Sequence, residues 1–406
     1  MTTNGIEGET MQRTFRVAIL IETSREYGRG ILRGISRFQK DNDPWSIYFQ
    51  PRGTTDPIPS WLPSWQGDGI LARVEDRQMA DALLATGIPT IDLRFAVPNL
   101  EMPAVGIDET SLVRLAVDHF LERGFRRFAF CGSPPGQFIW MDRRKQLFCE
   151  MVAEAGFACE TYELSSDLQT IRWEEDQQDL IRWIQRLRKP VAIMACNDDR
   201  GLQLLDACRQ AGFEVPNEVS VLGVDNDEFS CGLSTPPLSS IDMNLEKVGY
   251  TAAQLLQSMM EGTPPPTENI LFPAKTIVAR RSTDYFAFED KELVAALRYL
   301  NENACKGVTM KDVIEATGIE RRTLERRMRT ILGRSPKDEI TRIQIDHSKG
   351  LLERTDLPLD EVAKQTGFSN SRYFSRVFGQ RVGMTPVAFR KNALSNDLAI
   401  PKAQAS

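Results

Sequence analysis

Short apolar runs in the first two thirds of the chain are each followed by polar side chains with planar hydrogen-bonding groups. These polar groups occur at Glu22–Tyr27, Asp92, Arg94, Asp108, Ser133–Trp140, Asn197–Arg200 and Asp225–Asp227. Planar Asn, Asp and Arg groups engage sugar hydroxyls through paired hydrogen bonds, while an aromatic ring covers the C–H face. No Gly-x-Gly-x-x-Gly or Gly-Lys-Ser/Thr loop accompanies them, which argues against a nucleotide phosphate site. A neutral polyol is the ligand that this pattern favours.

A second group of chemically active side chains lies near the carboxyl end and is cationic. Residues 320–329 contain five arginines, and residues 370–376 contain two. A helical projection turns Leu324, Met328, Phe374 and Phe378 inward. The outward positions are candidate DNA contacts: Arg321, Arg322, Glu325, Arg326, Ser371, Arg372 and Arg376. Arginine bonds guanine bidentately and glutamate accepts from cytosine, so each good pair discriminates by roughly 1–3 kcal/mol. The alternative is a basic helical bundle that binds protein.

Composition limits the other chemistries. The chain has 406 residues, 41% apolar and 26% charged, as expected for two or three globular cores. Its two histidines, His119 and His347, exclude most histidine-based metal and triad chemistry, so we predict no metal, no cofactor and no catalytic residue. Seven cysteines without a Cys-x-x-Cys pair predict reduced thiols. Without an apolar signal core or a spanning run, the chain is predicted to be cytoplasmic, with no membrane contact.

The charge is distributed unevenly along the chain. Residues 291–406 contain 21 Lys+Arg and 14 Asp+Glu, whereas the whole chain has a net charge of −6, so residues 1–290 carry −13. An acidic body with a basic terminal module suggests that the module meets a polyanion. A chance run of charge is the alternative interpretation.

Alternating strand and helix patterns must position the polar groups. The first strand is expected at 16–23, and helices are expected over 28–38, 76–84, 111–123, 140–155 and 200–211. Strands with continuous Val, Ile, Leu and Ala are typical of parallel sheets that are buried on both faces. We therefore predict a doubly wound α/β fold in two lobes, whose ligand binds beyond the carboxyl ends of the strands.

Residues 15–283 resemble the effector domain of the LacI/GalR repressors and the type I periplasmic sugar-binding fold. The likeness rests on ordered segments: Arg144–Phe148, Asn197-Asp198 with Gly201, 219–227, and 238–262 with 277–283. It implies two Rossmann-like lobes, joined by three crossover strands, with a sugar in the cleft. The ligand-binding residues that it implies are Arg144, Asn197 and Asp225. Trp140, on the same helical face as Arg144, is our candidate for the stacking ring. Tyr27 and Asp108, among the polar residues that follow strands, are further candidates.

Several of these residues have structural alternatives. Asp225 would then cap a turn, Arg144 would lie on a helix surface, Asp108 would tie the lobes together and Tyr27 would pack at the hinge. Asp198 is interpreted as a helix N-cap. Met243 stands where many sugar-binding relatives place Gln, which leaves the identity of the sugar open.

Two helix-turn-helix patterns follow, about 49 residues apart. The first comprises 310–317, the turn Gly318-Ile319 and 320–332; the second comprises 359–366, the turn Gly367-Phe368 and 370–382; a helix is expected at 340–353 between them. Gly367-Phe368-Ser369, Tyr373–Phe378 and Gly383–Pro386 with Phe389-Arg390 resemble the AraC/XylS signature. This resemblance covers 290–395 and implies two recognition helices in successive major-groove segments of one DNA face.

The chain as a whole resembles the xylose operon activators, because an AraC-type module follows a LacI-type effector domain. Trp140 before Arg144, 278–284 at the domain exit and 303–307 add to the likeness. The predicted divisions are a tail at 1–14, a sugar-binding domain at 15–283, a linker at 284–290, a DNA-binding domain at 291–395 and a tail at 396–406. The expected partners are promoter DNA, xylose or a related pentose, RNA polymerase and a second copy of the chain. An architectural DNA-binding protein and a sugar-acting enzyme remain alternatives.

Overall fold

The computed structural model describes residues 14–53, 56–162 and 173–394, which fall into two compact units. The first unit contains the residues up to 118 together with 127–284, and the second contains 119–126 together with those from 285 onward. The two predicted tails lie outside the described residues, apart from residue 14.

The first unit is built on parallel sheets. Its strands are β1 (Arg16–Leu20), β2 (Ser46–Phe49), β3 (Gly69–Ala72), β4 (Thr90–Asp92), β5 (Val105–Ile107), β6 (Phe128–Cys131), β7 (Cys159–Tyr162), β8 (Val191–Ala195), β9 (Val219–Val224), β10 (Ser239–Asp242), β11 (Ile270–Phe272) and β12 (Thr276–Val278). One lobe has the order β2-β1-β3-β4, the other has β12-β10-β9-β8-β6-β7, and β11 pairs with β5. Every described pairing is parallel except that of β10 with β12. Strands β3, β6, β8 and β9 are wholly buried, as their continuous apolar runs predicted.

Helices cover both sheets. They are α1 (Glu26–Asp41), α2 (Arg77–Leu84), α3 (Glu109–Glu122), α4 (Ile139–Glu154), α5 (Trp173–Arg186), α6 (Asp198–Ala211), α7 (Glu228–Leu233) and α8 (Leu245–Met260). All five predicted helices are present, and four of them begin one or two residues earlier than predicted. Helix α3 begins in the first unit, and its last four residues belong to the second. The predicted two-lobed α/β architecture is confirmed.

The second unit is helical and has two apolar cores. Its main helices are α9 (Lys291–Asn303), α10 (Met310–Thr317), α11 (Arg321–Leu332), α12 (Pro336–Arg354), α13 (Leu359–Gln365), α14 (Ser371–Val382) and α15 (Pro386–Leu394). Leu324 and Met328 belong to one core and Phe374 and Phe378 to the other, and all four are fully buried, as the helical projection predicted. Helix α12 begins at Pro336 rather than 340, because Ser335 and Asp338 form a capping box with Pro at the first helical position.

Candidate functional site

The predicted ligand residues converge at the carboxyl ends of strands from both lobes of the first unit. A cavity of about 10 Å³ is lined by Arg25, Tyr27, Arg73, Arg94, Trp140, Asn197 and Asp225. Four of the six predicted ligand residues therefore line one cleft: Tyr27, Trp140, Asn197 and Asp225. The carboxyl ends of parallel strands are the expected location for a ligand in this type of sheet.

Arg144 lies under this cleft rather than on a helix surface, and it is completely buried. Its Nε and Nη2 each donate to a carboxylate oxygen of Glu109 at 2.8 Å, and Nη1 donates to the carbonyl of Cys196. These contacts use three of its five N–H groups. Burial alone would raise the pKa of Glu109, but Arg144, and Arg94 beyond it, hold that pKa below its ordinary value. Arg144 thus joins α4 to the start of α3 and to the carbonyl of Cys196, and it is not among the residues that line the cleft.

Asn197 lines the cleft and also caps the start of α6. Its Oδ1 accepts a hydrogen bond from the Arg200 backbone N–H at 3.0 Å, so Asn197 is the N-cap and the prediction that Asp198 caps this helix is wrong. The buried Asp198 carboxylate instead accepts from the Asp227 backbone N–H at 2.8 Å and from the Ser240 hydroxyl. The N-cap role fixes Asn197 at the cleft, where its amide nitrogen can donate to a ligand.

Asp225 is a carboxylate suited to accept hydroxyl hydrogen bonds. Its backbone has a φ of 111°, and its carboxylate makes no hydrogen bond with the residues that the structure describes. The cap of α7 is Asp227, so the alternative role of Asp225 as a turn cap is not observed. Burial raises the pKa of Asp225 to about 7, although Arg144 and Arg94 oppose this shift. A ligand hydroxyl would supply the hydrogen-bond donor that the protein does not.

Aromatic rings and guanidinium groups alternate along one wall of the cleft. The Cζ atom of Arg94 lies 4.1 Å from the Trp140 ring centroid and 4.5 Å from that of Tyr27, and Arg73 covers Tyr27 at 4.6 Å. The Tyr27 hydroxyl donates to the carbonyl of Leu93 at 2.7 Å, which fixes its ring. The buried indole Nε1 of Trp140 has no hydrogen-bond acceptor among the described residues. This N–H is therefore available to a ligand oxygen.

Asp108 does not line the cleft; its carboxylate accepts from the Thr110 backbone N–H at 3.0 Å, at the start of α3. The sequence did not predict that Arg94, Arg73 and Arg25 line the cleft, or that Glu109 pairs with Arg144. Arg94 and Arg25 belong to the polar groups that follow strands, but the family resemblance does not mark them as ligand residues. Arg73 was hidden because it directly continues an apolar run, and Glu109 because it lies within the first turn of a helix.

The cleft is closed around very little space. A cavity of about 10 Å³ is close to the minimum for one water molecule. Ion pairs cross from one lobe to the other at its rim: Arg25 contacts Asp199 at 2.9 Å and Arg29 contacts Asp227 at 2.6 Å. A ligand larger than one water molecule would not fit in this volume.

The second unit presents the predicted DNA-contacting residues. Arg321, Arg322 and Arg326 on α11 are exposed, as are Arg372 and Arg376 on α14, while Glu325 and Ser371 are partly exposed. Arg321 Nε donates to Glu325 at 2.9 Å, so DNA contact by either residue requires that pair to break or to share the base. Among the described residues, no cluster of three or more His, Cys, Asp or Glu could hold a metal, and no helix is long and apolar enough to cross a membrane.

Three family models match the chain. A periplasmic binding protein-like domain matches residues 117–283, a XylR N-terminal domain matches 16–101 and a helix-turn-helix domain matches 313–392. Together they cover both units.

Relatives also match along nearly the whole chain. The xylose operon regulatory protein of Escherichia coli K12 is 30% identical over 385 residues, which is 92% of this chain and 96% of that protein. The protein of the same name from Haemophilus influenzae is 30% identical over 389 residues, 94% and 99% of the two chains. A solved structure of the xylose-binding transcription activator xylR superposes with a TM-score of 0.61 at 28% identity and covers 94% of this chain and 99% of its own.

Proposed function

The chain belongs to the family of xylose operon regulatory proteins and is a transcriptional regulator, and on that premise we propose that it responds to D-xylose or a closely related pentose bound in the cleft. The relatives named for xylose cover nearly the whole chain, which supports this effector. In this proposal Trp140, Asn197 and Asp225 contact the sugar directly. Arg144 acts through the residues to which it is bonded, and Tyr27 supports the wall. Asp108 acts only through the start of α3.

The observation that carries the proposal is the set of unpaired groups in the cleft. The buried Trp140 Nε1 donor lacks an acceptor among the described residues. The partly buried Asp225 carboxylate accepts no hydrogen bond from them, and it lines the same cavity from the end of β9, whereas Trp140 lines it from α4. Buried polar groups without partners cost free energy, so their retention at one point favours a ligand with both donors and acceptors. A pentose has hydroxyls that do both.

For the DNA-binding half, we propose that α11 and α14 enter successive major-groove segments of promoter DNA. The contacts come from Arg321, Arg322, Glu325 and Arg326 on the first helix and from Ser371, Arg372 and Arg376 on the second. The domains proposed for these tasks are 15–283 and 291–395, with 284–290 as the linker.

Activation of transcription then requires contact with RNA polymerase, and the site of action is the cytoplasm, where promoter DNA is found.

We propose a homodimer as the working form. The exposed edge strand β2, with Ile47, Tyr48 and Phe49 each about two fifths exposed, supports an association of this kind. Sugar binding shifts the balance between lobe arrangements that differ in DNA affinity.

The test measures sugar binding and DNA binding on the same protein. Isothermal titration with D-xylose, L-arabinose and D-ribose should give saturable heat for at least one pentose, and selection from a random duplex library should recover a two-part site. The affinity for that site should change on addition of the bound pentose. Arg372→Ala should weaken DNA binding. It should also make the slope of log K against log salt concentration less steep, by about 0.9 for each phosphate that the protein no longer neutralises. Arg77 is exposed on the first unit, and Arg77→Ala, the control, should change neither quantity. DNA affinity that is indifferent to every pentose would indicate an architectural protein and refute the proposal.

A further inference from the structure

The loop after β9 consists of Asp225, Asn226 and Asp227, and we call it the ligand loop. Each of its residues makes a different contact. Asp225 lines the sugar cleft, and the Asp227 carboxylate accepts a hydrogen bond at 2.6 Å from Arg29 of the other lobe. Asn226, between them, accepts one through its Oδ1 at 2.8 Å from Nη2 of Arg280. The ligand loop therefore joins the cleft to the part of the chain that contains Arg280.

The backbone of the ligand loop needs a rigid frame. Asp225 and Asn226 have φ values of 111° and 53°, a region that residues with a Cβ adopt rarely and keep only where surrounding contacts fix it. The Asn226 backbone N–H donates to Ser240 Oγ at 2.9 Å, and the Asp227 backbone N–H donates to the buried Asp198 carboxylate at 2.8 Å. The position of Asp225 in the cleft therefore depends on groups that lie outside the cleft.

Residues 280–283, which we call the exit segment, end the proposed sugar-binding domain. Ser282 and Thr283 are fully buried. The Ser282 hydroxyl donates to a carbonyl of β9 at 2.6 Å, and the Thr283 hydroxyl donates to Ser239 Oγ at 2.8 Å. The exit segment is thus bonded to the sheet that carries the ligand loop, and the linker 284–290 follows it directly along the chain.

Arg280 bonds the exit segment to the ligand loop. Its Nη1 donates to the carbonyl of Leu238 at 2.8 Å, while its Nη2 donates to Asn226. Its backbone N–H donates to Ser239 Oγ at 2.7 Å, and the next residue of β10, Ser240, accepts from the ligand loop. Because a hydrogen bond weakens steeply with distance, a displacement of the loop by about 1 Å would break the bond between Arg280 and Asn226.

We propose that Arg280 is a positioning residue that couples the cleft to the exit segment through its hydrogen bond to Asn226. A pentose that bonds Asp225 restrains the ligand loop, and the restrained loop holds the Arg280 guanidinium and, with it, the exit segment. Since the linker and the DNA-binding domain follow along the chain, this bond contributes to the linkage between sugar affinity and DNA affinity. The inference rests on the proposed function, because it requires a pentose in the cleft.

Two pairs of full-length variants test the bond. Arg280→Met removes the guanidinium, and Arg281→Met, at the exposed next residue, is the matched control. Asn226→Gly removes the acceptor and tolerates a positive φ, whereas Asn226→Asp keeps an oxygen acceptor for Arg280 and also tolerates this backbone. Each variant is titrated with the pentose that binds the wild type, whether D-xylose, L-arabinose or D-ribose. Each is also titrated with the selected duplex, in the absence and in the presence of saturating pentose.

Hydrogen exchange followed by mass spectrometry measures the response of the exit segment without DNA. The Ser282 backbone N–H donates to the carbonyl of Pro237 at 3.0 Å, so its exchange requires local opening. In the wild type, the pentose should slow exchange in the peptide that contains residues 280–284 at least about threefold, because a restrained segment opens less often. In Arg280→Met and Asn226→Gly, the pentose should leave that rate unchanged.

We expect the pentose to change the DNA affinity of the wild type by about 5–150-fold, as is typical of coupled sites. This factor should fall at least about threefold in Arg280→Met and Asn226→Gly, since each loses one charge-assisted hydrogen bond, while the pentose affinity stays within about threefold. Arg281→Met and Asn226→Asp should keep both the factor and the exchange response. If Arg280→Met fails to fold, the comparison of Asn226→Gly with Asn226→Asp decides.

An unchanged factor in Arg280→Met and Asn226→Gly, or an equal loss in Asn226→Asp and Asn226→Gly, would overturn the role of Arg280 and leave the proposed function intact. A wild-type DNA affinity that no pentose changes would overturn both.

Discussion

Removal of Arg144 should destabilise the first unit strongly, because Arg144 is the buried partner of Glu109. Breaking a buried ion pair by removing one partner costs about 3–5 kcal/mol. The Glu109 side chain retains 12% exposure, and Arg94 Nη2 lies 3.8 Å from its Oε1, so partial compensation is available. We therefore expect Arg144→Met, which keeps the aliphatic bulk, to lose about 3 kcal/mol of the free energy of unfolding. For a domain of this size, that corresponds to a fall in Tm of roughly 6–12 °C.

Scanning calorimetry of the intact chain measures this effect, and the neighbouring exposed Arg143→Met is the control, with an expected change within about 0.5 kcal/mol. In the wild type, the pKa of Glu109 is lower in the folded protein than in the unfolded chain. This difference stabilises the fold at pH values above the unfolded-state pKa, and the stabilisation is lost as the pH falls through the folded-state pKa. In Arg144→Met, burial raises the pKa of Glu109 instead, so the deficit should shrink on acidification, and Glu109→Gln should restore part of the stability. A loss below about 1 kcal/mol, or no recovery in the double variant, would refute the assigned role of the pair.

Two further predictions concern the cleft and the helix-turn-helix motifs. Burial raises the pKa of Asp225 to about 7, and the ionised carboxylate is the better hydroxyl acceptor. The affinity of the wild-type protein for a pentose should therefore rise as the pH rises through 7, and it should fall by up to about tenfold per pH unit below 7. In the same series of titrations, Asp225→Asn should bind the pentose more weakly and without this pH dependence. Gly318 and Gly367 have φ values of 70° and 77°, but only a Cβ at Gly367 would meet backbone atoms, at 2.8–2.9 Å. Gly318→Ala should cost about 1 kcal/mol and Gly367→Ala clearly more in calorimetry, and equal costs would contradict the packing argument.

The elements that depend on periodicity were predictable from the sequence. Continuous apolar runs identified β3, β8 and β9, since strands buried on both faces have no polar alternation. The helical projection placed Leu324 and Phe374 in the core correctly, because a buried stripe repeats every three or four residues. The strand-end rule also brought Asn197 and Asp225 to one cleft, because it follows from topology rather than from individual contacts.

Pairings between distant segments were not predictable from the sequence. The Arg144–Glu109 pair joins α4 to α3, and no local pattern distinguishes a buried arginine with a distant carboxylate from a solvated arginine such as Arg143. The choice between Asn197 and Asp198 as the N-cap was similarly open, since both residue types cap helices well. The three-dimensional structure determines which residue is the cap, because the Ser240 hydroxyl and the Asp227 backbone N–H both donate to the Asp198 carboxylate.

The charge balance of the cleft argues for a neutral pentose over its phosphate ester. Four guanidiniums lie at or next to the site, and each has a carboxylate partner: Arg25 with Asp199, Arg73 with Glu22 and Glu75, and both Arg144 and Arg94 with Glu109. Arg94 stacks between two aromatic rings and lies 3.8 Å from Glu109. A phosphate would need unpaired cations and would face the Asp225 carboxylate at close range, at the cost of like-charge repulsion in a buried site. A neutral sugar needs no unpaired cation and supplies the hydroxyl donors that Asp225 lacks.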